Sequence, residues 1–240
     1  MDMNIDKIPF EFVDKALETM NKTPWHTYLI LTKRPCRMKK YFCEHIPQTE
    51  LAWPLPNVWI GVTCENQEQA DKRIPILLQI PASVRWVSCE PLLGPIDLGR
   101  YLGGVCPPGC IKDFACSTKC GHKKGDGINW CVTGGESGPG ARPCHPDWIR
   151  SLRDQCQVAG VPYFFKQHGE WEPFYDRDMD DSDWQNVPDE NAVSGICRLN
   201  LAGGHGFHGD RVVYFRKVGK KAAGRLLDGR EWDELPGRTT

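Results

Sequence analysis

Four cysteines fall close together: Cys106, Cys110, Cys116 and Cys120 read C-x3-C-x5-C-x3-C, with His122 just beyond. Four thiolates on a short Pro- and Gly-rich loop suit a tetrahedral zinc ion. Zinc would order a segment that has almost no apolar core of its own, a structural task. Iron–sulfur ligation is the other metal reading, although the spacing matches no common cluster motif. The x3 gaps exceed the usual x2, so unligated thiols in a surface loop are the third alternative.

The second chemistry-bearing pattern is distributed. Five apolar runs each end in polar, reactive residues: Thr32-Lys33-Arg34; Thr63-Cys64-Glu65-Asn66; Ser88-Cys89-Glu90; Thr133-Gly134-Gly135-Glu136-Ser137; and Lys166-Gln167-His168. In parallel β/α folds the C-terminal strand ends open on one face, where sites are assembled. Glu65, Glu90, Glu136, Lys33 and Lys166 are costly to hold near a core unless they pair or bind something. Two glycines after a strand also let backbone N–H groups approach a carboxylate or phosphate, with Glu136 free for a ligand amine or hydroxyl. A bare exit from the core and a tight turn are the plain alternatives for any single strand end. Cys64 and Cys89 read as small buried thiols.

The elements that position these residues alternate. Tyr28–Leu31, Val58–Val62, Val84–Val87, Ile128–Val132 and Val161–Phe165 are near-continuous apolar runs, as in parallel strands buried on both faces. Between them, Phe10, Val13, Leu17 and Met20 share a helical face, and Gln67–Ile80 forms a second helix weakened by Pro75. The third helix runs from Pro146 to Gln157, with Pro146 at its first position, Asp147 in its first turn and Gly160 ending it. This order predicts an α/β fold, a partial (β/α) barrel of about five parallel strands with helices outside. The barrel spans residues 1–171. Residues 103–127 form a Cys-rich insertion after a short helical stretch, Ile96–Leu102, on the face opposite the strand ends. An acidic irregular loop follows over 172–206, then a basic strand and helix tail over 207–240 packing on the barrel.

Composition narrows the classes. The 240 residues carry a formal net charge of −1, so no global field points to nucleic acid. Nine Trp and nine Phe argue against disorder. No apolar run reaches the length of about 18 residues that a membrane span needs. The opening Met1-Asp2-Met3-Asn4 lacks the features of a secretion signal, which places the chain in the cytoplasm with its twelve cysteines reduced or metal-bound.

Six ordered motifs stand out: Leu31-Thr32-Lys33-Arg34-Pro35, Trp59–Asn66, Ser88–Gly94, Gly134–Pro143, Phe165–Trp171 and Val218–Trp232. Together they resemble the phage gene-product 37/68 family, a domain of unknown function with radical S-adenosylmethionine (radical SAM)-like character. The resemblance implies a radical SAM-type barrel with S-adenosylmethionine and a [4Fe–4S] cluster at the strand ends. Carried onto this chain, it makes Gly134, Gly135, Glu136 and Ser137 cofactor-facing. Lys33, Arg34, Glu65, Asn66, Glu90, Lys166 and Gln167 become substrate-facing, with no catalytic residue assigned.

The chain departs from that pattern, because no C-x3-C-x2-C occurs in it. A cluster is therefore not expected in this chain, which reads as an N-terminally truncated member, inactive alone as a radical enzyme. A missing segment or a partner chain would complete the barrel at its first-strand edge. The alternative is a zinc-containing nucleic-acid-associated protein using Arg211, Arg216, Lys217, Lys220, Lys221, Arg225 and Arg230 of the basic tail.

Overall fold

The computed structural model describes residues 8–103, 127–177, 194–206 and 212–237. The first helix, α1 (Phe10–Lys22), turns the expected face inward: Val13 and Leu17 are buried, and Phe10 and Met20 pack beside them. Then follow β1 (Tyr28–Thr32), α2 (Pro35–Lys40), β2 (Val58–Thr63), α3 (Gln67–Leu77), β3 (Val84–Cys89), β4 (Trp130–Thr133), α4 (Pro146–Ala159) and β5 (Tyr163–Phe165). A π-helical turn, Tyr41–His45, and a 3-10 turn, Ile46–Gln48, extend α2. The helix ends follow local chemistry. Asn66 caps α3 by accepting from the Gln69 N–H at 3.0 Å, while α4 has His145 as cap, Pro146 at its start and left-handed Gly160 at its end.

The five strands form one parallel sheet in the sequential order β1-β2-β3-β4-β5. Among the described residues this sheet is open and does not close into a barrel. Residues of α1, α2, α3 and α4 all join the core cluster containing Ile30, Ile60, Val62, Val87, Cys131, Tyr163 and Phe165, so the helices cover one sheet face. The other face carries a separate cluster, because successive strand side chains point to opposite sides. Trp86, Trp130 and Val132 form its centre, with Leu31, Trp59, Phe164 and Leu235 packed against them. The strands β2, β3 and β4 are largely buried on both faces, as read, but among the described residues helices pack on one face alone.

Between β3 and β4 the expected short helix over Ile96–Leu102 is a turn, held by N–H groups of Tyr101 and Leu102 donating to Leu98 O. The chain leaves and re-enters the described fold at one place. Leu102 bridges Ile128, and a Cβ on Gly127 would lie 2.5 Å from Gly103 N. This point precedes β4, at the strand end opposite the polar tips.

The stretch 172–206, expected to be irregular, is sheet at both described ends. The strands β6 (Trp171–Arg177), β7 (Ile196–Asn200) and β8 (Val212–Lys217) form an antiparallel sheet in the order β6-β8-β7. Its Leu199, Val213 and Phe215 join the main core. A short α5 (Lys220–Ala223) follows β8, and the segment after it lies along β5: Phe165 N donates to Trp232 O at 2.8 Å, and Phe164 bridges Asp233. The β5 edge is therefore covered by the chain's own tail. The β1 edge has no strand beside it among the described residues, and Leu29 there is 46% exposed.

Candidate functional site

The face without helices is layered by strand register. Leu29, Trp59 and Val84 share its lowest row; Leu31, Gly61, Trp86 and Trp130 the next; Thr63, Ser88, Val132 and Phe164 the third. The rings form a continuous floor. Trp130 lies with its ring centroid 5.8 Å from Trp59, 5.4 Å from Trp86 and 6.1 Å from Phe164. Gly61 makes room for it, since a Cβ there would stand 2.6 Å from the Trp86 indole. Trp130 Nε1 donates to Glu234 O at 2.9 Å, which anchors the tail and Leu235 at one margin.

Above this floor the strand tips form a rim of ion pairs. Glu65 is held by Lys33 and, at 2.7 Å, by Arg73, which also donates to Thr63 O at 2.7 Å. Burial pushes the Glu65 carboxyl up, but Lys33, its own backbone and Arg73 outweigh burial and bring it below the usual range. Glu90 takes Lys166 at 3.0 Å on one oxygen and Gln167 Nε2 at 3.1 Å on the other. Glu136 is gripped by Arg142 at 2.8 and 2.9 Å from the side chain and 2.9 Å from the backbone. Arg142 accordingly holds the Glu136 carboxyl low. The rim residues thus converge, and they neutralise one another as they do so.

Two expected roles change in this geometry. The Gly134 N–H donates to Cys89 O at 3.2 Å and the Gly135 N–H to Gln167 O at 2.9 Å, so neither is left for a ligand. Gly135 is required by packing: a Cβ would fall 1.9 Å from His168 O. The reciprocal contact is Gly169, at φ +89°, whose Cβ would fall 2.1 Å from Glu136 O. Asn66 is occupied as the α3 cap. Ser137 is exposed, as are Lys33, Arg34 and Lys166.

The thiols at the tips are inert. Cys64 and Cys89 are fully buried on the helix-packed side, and burial followed by the neighbouring Cys89 pushes the Cys64 thiol far up. Cys106, Cys110, Cys116 and Cys120 lie outside the described residues. The described residues do not fit a [4Fe–4S] cluster. Among them no group of three or more His, Cys, Asp or Glu side chains is placed to hold a metal, and the sequence has no C-x3-C-x2-C.

A cavity of about 640 Å³ lies away from the tips, along α4, between Gly99, Leu102 and Arg153. Its charged walls are self-paired: Arg150 with Asp147 at 2.7 Å, and Arg153 with Asp154 at 2.8 Å. In the basic tail, Arg216 pairs with Glu172 at 2.7 Å and Arg230 lies over the Trp232 ring at 4.0 Å. Among the described residues no helix is long and apolar enough to cross a membrane.

The family model described as a protein of unknown function (DUF5131) matches residues 1–236. The chain belongs to that family. No curated protein and no solved structure matches it. The match spans both sheets, so the antiparallel sheet and the tail along β5 fall within the family region together with the tips.

Sequence reasoning missed the aromatic floor, and it placed Arg225 among the cations of the basic tail without connecting it to this face. The Arg225 guanidinium lies over the Phe164 ring at 5.3 Å. Strand alternation could have found the floor, because Trp59, Trp86 and Trp130 sit at matching phases of their strands. Nothing local in the sequence points from Arg225 to Phe164.

Proposed function

We propose that the face without helices is a small-molecule site of the radical SAM type, built on a segment of a (β/α) barrel. In this reading the chain supplies the S-adenosylmethionine- and substrate-facing wall, and its own residues do not supply the cluster. Glu136 and Ser137 face the cofactor. Lys33, Arg34, Glu65, Glu90, Lys166 and Gln167 frame the substrate side, zinc on Cys106, Cys110, Cys116 and Cys120 is structural, and a further segment or partner chain lies along β1.

One observation carries the reading. Seven side-chain polar atoms of the described residues are buried without a hydrogen-bond partner, and four lie on or beside this face: Trp86 Nε1, Gln167 Oε1, Arg225 Nε and Arg225 Nη2. Native proteins leave few such atoms unpaired, and a bound molecule, ion or water at this face would satisfy them. Sequential strand order with helices on one face supports the barrel-segment reading, since a doubly wound sheet carries helices on both faces. The exposed Leu29 edge supports an added segment. The nucleic-acid reading loses Arg216, which is paired with Glu172 at 2.7 Å.

The test is equilibrium dialysis of the full chain against S-adenosylmethionine, without added iron. Saturable binding below about 1 mM, weakened roughly tenfold in Trp86→Ala, is expected. No saturable binding overturns the reading. Anaerobic incubation with iron and sulfide is expected to give no [4Fe–4S] spectrum, and a stoichiometric cluster would overturn the part assigned to the chain's own residues.

A further inference from the structure

We infer that Arg225 is the seat for an oxyanion, a carboxylate or phosphate carried on a flat aromatic body that lies on the Phe164–Trp130 end of the floor. The inference rests on the proposed reading of this face as the ligand side and names the charge that one end of the ligand carries.

The guanidinium is already in place. Its Cζ lies over the Phe164 ring, and Phe164 meets Trp130 edge-on. Both neighbours in the chain are pinned to the β5 tip. The His168 N–H donates to Gly224 O at 3.1 Å, and His168 Nε2 contacts Leu226 O at 2.8 Å. With a carbonyl as partner, that ring nitrogen carries the proton, and burial keeps His168 below the usual imidazole range. The backbone on either side of Arg225 is therefore fixed before any ligand arrives, so little ordering cost is left for binding.

The guanidinium is also unspent. Its only ion pair among the described residues is a long one, Nη1 to the exposed Glu231 at 3.5 Å. Nε and Nη2 are buried with no partner. These two nitrogens form the edge that takes a carboxylate or phosphate side-on, with two parallel N–H donors. Unpaired buried donors on a cation are costly, and an oxyanion there would satisfy both at once. The half-buried Phe164 ring, backed by the buried Trp130, supplies the apolar surface beside the guanidinium. Lys166, the rim cation just past β5, is paired with Glu90 at 3.0 Å and does not compete.

The test uses ¹⁵N-labelled full chain and follows the arginine Nε–H and tryptophan indole resonances. The probes are adenosine 5′-monophosphate, indole-3-acetate, inorganic phosphate and, as a control without an anion, adenosine. A saturable shift of the Arg225 Nε–H signal with the nucleotide or the indole acid, absent with adenosine, is expected. Which of the two binds distinguishes phosphate from carboxylate. Arg225→Lys keeps the charge and loses the two-donor edge, and should weaken binding at least about tenfold. Glu231→Gln removes the competing carboxylate from an exposed position and should tighten binding about threefold, which keeps the test decisive if Arg225→Lys folds poorly.

Affinity unchanged in both variants, or no saturable shift with any anionic probe, overturns the inference. Inorganic phosphate binding as tightly as the nucleotide overturns the aromatic part. Anion binding sensitive to Arg225→Lys without any S-adenosylmethionine binding keeps this seat and removes the broader reading. S-adenosylmethionine binding with no anion response does the reverse.

Discussion

Replacing Gly135 by alanine places a methyl carbon 1.9 Å from the carbonyl oxygen of His168 and 2.6 Å from its carbonyl carbon. Both are backbone atoms, so no rotamer relieves the clash, and the β4 and β5 tips must part by about 1.5 Å to restore ordinary contact. That displacement strains two hydrogen bonds that tie the tips together, Gly135 N to Gln167 O at 2.9 Å and Glu170 N to Glu136 O at 3.0 Å. Losing them costs about 1 kcal/mol each, and overpacking adds about 1–3 kcal/mol, so the substitution should cost about 3–5 kcal/mol. For a chain of this size that lowers the Tm by about 10 °C. Gly134→Ala is the paired control. Its Cβ would meet the flexible Glu90 carboxylate at 3.3 Å, and the expected cost is under about 1 kcal/mol. Urea denaturation followed by tryptophan fluorescence and far-UV circular dichroism measures both. If Gly135→Ala costs less than about 1 kcal/mol, or the two variants cost the same, the packing account of this glycine pair is wrong.

Glu65→Gln leaves Arg73 facing a neutral partner in a mostly buried position, and should destabilise the fold by about 1–3 kcal/mol at neutral pH. Because the folded Glu65 carboxyl lies below its unfolded value, its stabilisation is complete above the unfolded pKa and lost as pH falls through the folded one. The variant should therefore flatten the acid limb of a stability–pH curve, and an unchanged limb contradicts the pairing. His168, lowered by burial, acts in the same direction at higher pH: stability falls as pH drops below the unfolded imidazole value near 6.5. Removing that slope in His168→Gln, measured by urea titrations across this range, is the expected result. Asp228, held low first by its hydrogen bond to Arg150, joins the tail to α4 with Arg153 at 2.5 Å, and Asp228→Asn should loosen the tail along β5. Faster amide hydrogen exchange at Phe165 reports it, and unchanged protection refutes it.

The parallel sheet was legible because each strand is a β-branched or aromatic run followed by a polar break. Tyr28–Thr32, Val58–Thr63 and Val84–Cys89 begin where their runs begin. The helices α1 and α4 were legible from one buried face and from Pro146, Asp147 and Gly160. The antiparallel sheet was not. Glu172, Pro173 and Asp176 give β6 the composition of a loop, and only pairing with Val212–Lys217 makes it a strand. The convergence of the tips followed from topology alone, but their mutual neutralisation did not. Lys33 reaches Glu65 across neighbouring strands, while Lys166 reaches Glu90 over β4, and such long-range pairs leave no local trace. The glycine pair misled for the same reason. A ligand cradle and a close crossing of two loops both demand glycine, and the crossing partner, His168, is distant in sequence.

Whether the face of Trp59, Trp86 and Trp130 binds a small molecule is read from the indole ¹H–¹⁵N resonances of the full chain, titrated with S-adenosylmethionine. Saturable shifts concentrated in Trp86 and Trp130 are expected, with Trp25, which is 72% exposed at the other end of the strands, unmoved. Shifts confined to Trp25, or none at millimolar ligand, would contradict binding at this face.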